Sequence, residues 1–146
     1  LGKRPYLSQA LRKRIRQQAK NRCGYCLAAQ RFFSSRFSIE HLIPLSLGGT
    51  SDEDNLWLSC PACNWYKSAK THGRDSETGN IVPLFNPREQ EWHEHFAWSP
   101  DGIRIIGKTP IGRATIDALK LNNELALAAR RLWVVAGKFP PTDSYM

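Results

Sequence analysis

The sequence predicts an α+β fold: short antiparallel strands followed by a helix, a basic helix ahead of them and a mainly helical extension behind. Three observations carry this. Short runs rich in aromatic and β-branched residues lie at 31–45 and 56–58, and the cysteine pairs Cys23-x-x-Cys26 and Cys60-x-x-Cys63 bracket them. Near both ends of the chain, apolar residues recur at helical spacing instead.

Taken in order, Ser8 caps a helix through Leu11, Ile15 and Ala19, which ends near Asn21 and Gly24. The segment from Arg31 to Ile39 reads as extended or hairpin chain. A strand from Ile39 to Leu45 follows, made irregular by Pro44. Glycines and small polar residues make Ser46–Asn55 a loop. Leu56-Trp57-Leu58 returns as a strand, and Cys60-Pro61 opens a helix reaching Lys67 or Lys70.

In the second half, Asn86-Pro-Arg-Glu89 is a capping box for a short helix through Trp92 and His95. Phe96-Ala-Trp98 and Ile103–Ile106 flank the turn Ser99-Pro-Asp-Gly102. Helices at Ile111–Leu119 and Asn123–Ala136 close the chain, the last packing through Leu125, Ala128, Leu132 and Ala136. Two regions are expected, a core with its basic helix at 1–80 and an extension packed on it at 81–146, within one compact unit.

The 146 residues include 21 Lys and Arg against 13 Asp and Glu, a net charge of +8. Lys3, Arg4, Arg12, Lys13, Arg14, Arg16, Lys20, Arg22, Arg31 and Arg36 all precede the first acidic residue, Glu40. Such a one-signed surface attracts a polyanion through counterion release. DNA, double-stranded, is the expected partner, with Arg12, Lys13, Arg14 and Arg16 on the open sides of the first helix as phosphate contacts. Lys67 and Lys70 are further candidates. The basic segment lacks an aromatic anchoring face and no run approaches 18 apolar residues, so no membrane partner is expected. Leu1-Gly-Lys-Arg-Pro leads into charge rather than an apolar leader, and a cytoplasmic location is expected.

The paired cysteines offer the soft tetrahedral S₄ set that zinc favours, and four thiolates close its shell, making the site structural. Two disulfides are the alternative, less suited to a chain without a secretory signal. Between and beside the cysteines lies a second constellation. Glu40 and Asn64 supply hard oxygens suited to magnesium or manganese, and His41 can take a proton from water near neutral pH. Asn55 either orients the His41 ring or braces the loop. Neighbours in a regular strand point to opposite faces, so Glu40 and His41 can share a site only at a strand end or bulge.

Together, Cys23-Gly-Tyr-Cys26, Ile39-Glu-His-Leu-Ile-Pro44, Leu47-Gly-Gly, Asp54-Asn-Leu56 and Cys60-Pro-Ala-Cys-Asn-Trp-Tyr-Lys67 resemble the HNH endonuclease family. The resemblance implies a ββα-metal (His-Me finger) nuclease core. It implies His41 as general base, Asn55 as the middle asparagine that orients it, and Asn64 and Glu40 as ligands of a catalytic divalent ion. Glu40 stands where aspartate is more familiar. Cys23, Cys26, Cys60 and Cys63 match the zinc knuckles of many members. Val82-Pro-Leu-Phe-Asn-Pro-Arg88 and the residues after it resemble an extension found in some bacterial HNH proteins. The function expected is metal-dependent DNA hydrolysis giving 5′-phosphate and 3′-hydroxyl ends. The alternatives are a noncatalytic zinc-containing DNA-binding module and a structural or protein-interaction domain.

Overall fold

The computed structural model describes residues 6–142; Lys3 and Arg4 of the basic run lie outside it. The described residues are α+β, with five helices and three separate two-stranded antiparallel sheets. Helix α1 spans Gln9–Gln18. The Ser8 hydroxyl accepts from Leu11 N at 3.1 Å, and Ile15 is wholly buried with Leu7 and Leu56. Lys20 and Asn21, both at positive φ, turn the chain into the first cysteine pair.

The segment after Arg31 differs from its expected extended form. A 3-10 turn covers Gln30–Phe32 and a loop follows. The Gln30 side chain accepts from Phe37 N at 2.7 Å and donates to Ser35 O at 2.9 Å, so it closes the segment locally. The aromatics here fill space rather than line a sheet: Phe32 stacks on Trp133 and Phe33 meets Phe37 edge-on.

Strand β1 is Ser38–His41, shorter than the predicted 39–45, and pairs with β2, Leu56–Ser59; Glu40 faces Trp57 and His41 faces Leu56 in register. Helix α2, Pro61–Lys67, follows directly, with Pro61 in its first turn and Cys60 as its cap. One hydrophobic core then joins both halves of the chain, running from the cysteines, Tyr25, Phe37 and Leu58 to Phe85, Trp92, Phe96 and Leu119. Trp92 Nε1 donates to Tyr25 O at 2.9 Å within it.

Sequence patterning missed the pair β3, His72–Arg74, and β4, Ile81–Pro83. Its turn is organised by Asp75, which accepts from Thr78 and Glu77 and receives two bonds from Arg113. Residues 86–90 make the reciprocal cap bonds without becoming a helix. Asn86 Oδ1 accepts from Arg88 N, and Gln90, rather than Glu89, reaches back to Asn86 N. Helix α3 is Trp92–His95; β5, Phe96–Trp98, pairs with β6, Ile105–Gly107, across the expected turn.

Helix α4 spans Pro110–Leu119 and α5 spans Glu124–Val135. The rotation of α5 corrects the predicted packing stripe: Leu125 and Leu132 are 83% and 72% exposed, and Leu127 and Arg130 are buried instead. The helix is apolar on both sides, so spacing alone does not fix its phase. Arg130 fixes it, donating to Ile103 O, Asn122 Oδ1 and Leu121 O. Among the described residues no helix is long and apolar enough to cross a membrane.

Candidate metal centre and active-site cleft

The two cysteine pairs converge. Cys23, Cys26, Cys60 and Cys63 are buried and free, and their sulfurs lie within 4.8 Å of one another. Cys26 and Cys60 Sγ are 3.7 Å apart. A tetrahedron with zinc–sulfur bonds near 2.3 Å has edges of about 3.8 Å, so the donor set fits zinc. A disulfide needs sulfurs about 2.05 Å apart. The first pair sits on a turn in which Leu27 N donates to Cys23 O and Cys23 N donates to Ala28 O, with Leu27 at positive φ. The second pair opens α2, where Cys60 Sγ accepts from Cys63 N.

The thiols perturb one another strongly. Hydrogen bonds with the other three hold Cys26 well below the usual thiol range, while hydrogen bonds with Cys23, Cys26 and Cys60, and burial, push Cys63 up. Arg130 adds a buried positive charge that interacts with all four cysteines. Zinc held by the four thiolates would carry a formal −2, which this guanidinium on α5 would offset. Sequence reasoning did not find Arg130, because a lone arginine in a helix gives no signal of what it faces.

An open cleft of about 540 Å³ is bordered by Glu40, His41 and Asn64. β1 ends at His41, which lets neighbouring residues border one cavity. Glu40 is 6% exposed. Tyr25 Oη donates to its Oε1 at 2.5 Å, and the Lys67 ammonium lies 3.7 Å from the same oxygen. Burial pushes the Glu40 carboxyl up to about 7, opposed by Lys67 and Tyr25. His41 Nε2 lies 3.0 Å from Ser51 Oγ, which fixes the rotation of the ring. Asn64 is exposed on α2.

Asn55 braces the loop rather than touching the cleft. Its Oδ1 accepts from Ile43 N at 2.9 Å, and its Nδ2 donates to Ile43 O at 3.0 Å and Thr50 O at 2.8 Å, clipping both ends of the 43–50 loop. Within the loop Gly48 has φ +88°, and a Cβ at Gly49 would collide with the Ile43 carbonyl. The adjacent glycines therefore serve two separate needs.

The basic candidates divide. Arg12 and Arg16 border the cleft, joined by Arg36. Lys13 is exposed, and Arg14 is paired with Glu53 at 2.9 Å. Lys70 is exposed and donates to Tyr66 O. Lys67, expected at the surface, is 3% exposed and donates to Leu42 O at 3.1 Å, so its ammonium serves the interior. Arg88 and Arg113 also turn inward, Arg88 over Trp57 and Arg113 onto Asp75. Tyr25 and Ser51 escaped sequence reasoning, since their partners are set only by the fold.

A family model described as HNH endonuclease matches residues 23–70, the span that carries both cysteine pairs and the Glu40-His41 strand. Anaredoxin of Nostoc sp. (strain PCC 7120 / SAG 25.82 / UTEX 2576) is 32% identical over 62 residues, covering 42% of this chain and 76% of that protein. No solved structure gives a significant match.

Proposed function

Because the chain belongs to the HNH endonuclease family, we propose that it is a metal-dependent endonuclease hydrolysing DNA phosphodiester bonds, with double-stranded DNA as substrate. The observation that carries this is the meeting of Glu40, His41 and Asn64 at one arginine-bordered cleft. The β1–β2–α2 unit then serves as a ββα-metal core, with the zinc knuckles holding its entry and exit together.

His41 takes a proton from water, and the water oxygen attacks the phosphorus in line. The bond to the 3′ oxygen breaks and the departing oxyanion takes a proton from solvent water, leaving 5′-phosphate and 3′-hydroxyl ends. Glu40 and Asn64 would hold a magnesium or manganese ion. Glu40 Oε1 is engaged by Tyr25 and Lys67, which leaves Oε2 as its donor. Such an ion supplies charge neutralisation at the phosphorane and leaving oxygen. Ser51 orients the His41 ring, and Asn55 is a positioning residue that acts through the loop.

The engagement of Glu40 by Tyr25 and Lys67 favours a second reading, a noncatalytic zinc-containing module that binds DNA in the same cleft. Incubating zinc-loaded protein with supercoiled plasmid, with and without magnesium or manganese, separates the two. Nicked and linear products bearing 5′-phosphates, abolished by chelation, support the nuclease. Salt-sensitive binding with intact plasmid in every metal supports the module.

A further inference from the structure

Three arginines reach the cleft from two separate segments. Arg12 and Arg16 stand one helical turn apart on α1, and Arg36 comes from the loop before β1. Arg12 Nε is used by Leu7 O at 3.1 Å. Arg16 Nε is buried and has no hydrogen-bond partner among the described residues. No carboxylate of the described residues pairs with any of the three, although Arg14, on the same helix, has Glu53. Folding has gathered three like charges at one open cleft, an arrangement that costs free energy until an anion arrives. Burial, Arg36 and Arg12 all hold the Arg16 guanidinium below its ordinary range.

We propose that Arg12, Arg16 and Arg36 form a phosphate subsite on the α1 wall of the cleft, holding a backbone phosphate of the nucleic acid whose scissile bond lies at His41. Guanidinium forks match the tetrahedral oxygens of phosphate, and three of them exceed what a single carboxylate needs. The subsite rests on the nuclease reading for the identity of its ligand. It assigns α1 a task more specific than general attraction: two of its four central cations bind in the cleft, and the other two do not. Because no base edge is involved, the anchoring is indifferent to sequence.

Binding measured without added divalent metal tests this independently of cleavage. Zinc-loaded wild type, the double variant Arg16→Gln/Arg36→Gln and the control Lys13→Gln are titrated with several unrelated duplexes over a salt series. The double variant should lose about tenfold or more in affinity for every duplex. Its slope against log salt should flatten by roughly 1.8, two contacts at about 0.9 each, with Lys13→Gln changing it by less than one contact. Inorganic phosphate should compete with DNA and raise the melting temperature of wild type but not of the double variant. Zinc content and circular dichroism check the fold, and Arg16→Lys/Arg36→Lys supplies a charge-conserving version with intermediate affinity. An unchanged slope in the folded double variant overturns the subsite, as does a loss equalled by Lys13→Gln. Phosphate protection without any loss of DNA affinity overturns the backbone assignment and points to a free-phosphate site. Failure of wild type to cleave in the separate plasmid assay overturns the nuclease reading and leaves these binding results standing.

Discussion

The Lys67 ammonium lies 3.7 Å from the Glu40 carboxylate, and both side chains are almost wholly shielded from water. This pair links β1 to α2, with Tyr25, between the cysteines of the first pair, as the third member. Three segments far apart in sequence meet at one carboxylate.

Lys67→Met should therefore strip the counter-charge from a buried acid, a change that typically costs about 3–5 kcal/mol. The pH dependence follows from Glu40. Its folded carboxyl, already at about 7, rises further without the ammonium, while an unfolded glutamate titrates near about 4.3. Both proteins lose stability as pH climbs from that unfolded value, so the variant's extra deficit opens only above about 7, where wild-type Glu40 is ionised beside Lys67 and the variant's acid must ionise alone. Urea denaturation should show a larger deficit at pH 8 than at pH 5. An equal deficit at both would remove the ion pair from the explanation.

Asn55→Ala should cost about 1–3 kcal/mol, because it leaves Ile43 and Thr50 backbone groups unpaired. Cleavage should fall by about 10²-fold as Ser51 and the His41 ring lose their fixed geometry. Asn55→Asp keeps the acceptor for Ile43 N and should retain part of both. Chemical denaturation and single-turnover cleavage on the same preparations check this; a stable but inactive Asn55→Ala would instead give Asn55 a direct chemical role.

Two metals should separate by retention. Graded chelation should stop cleavage before the domain melts, and magnesium or manganese should restore it without replacing zinc. Arg130→Gln should lower the chelator concentration at which zinc leaves, since the buried charge beside the cysteines is gone. Cys60→Ala should lose zinc and stability together. Elemental analysis alongside thermal unfolding reads all three; zinc retention unchanged in Arg130→Gln would show that the thiolates need no outer counter-charge.

What sequence patterning conveyed is local. The cap at Ser8, the α2 start at Cys60-Pro61, the Ser99–Gly102 turn and the four-cysteine cluster all depend on neighbouring residues or fixed spacing, and all are found. The meeting of Glu40 and His41 at a strand end was also visible as a geometric requirement. What was hidden depends on contacts distant in sequence. Lys67 looks like any lysine at a helix end until Glu40 and Leu42 O are placed beside it. Arg12 and Arg14 are equivalent in sequence, yet one borders the cleft and the other meets Glu53. The face that α5 buries was misjudged for the same reason, since Leu125 and Leu132 offered a better stripe than the one Arg130 selects.

In the proposed reaction His41 acts in the chemical step. Single-turnover cleavage of DNA by His41→Ala, in saturating magnesium or manganese, tests it most directly. The rate should fall about 10²- to 10⁴-fold below wild type, with zinc content, folding and DNA affinity unchanged. Cleavage at the wild-type rate by the correctly folded variant would contradict it.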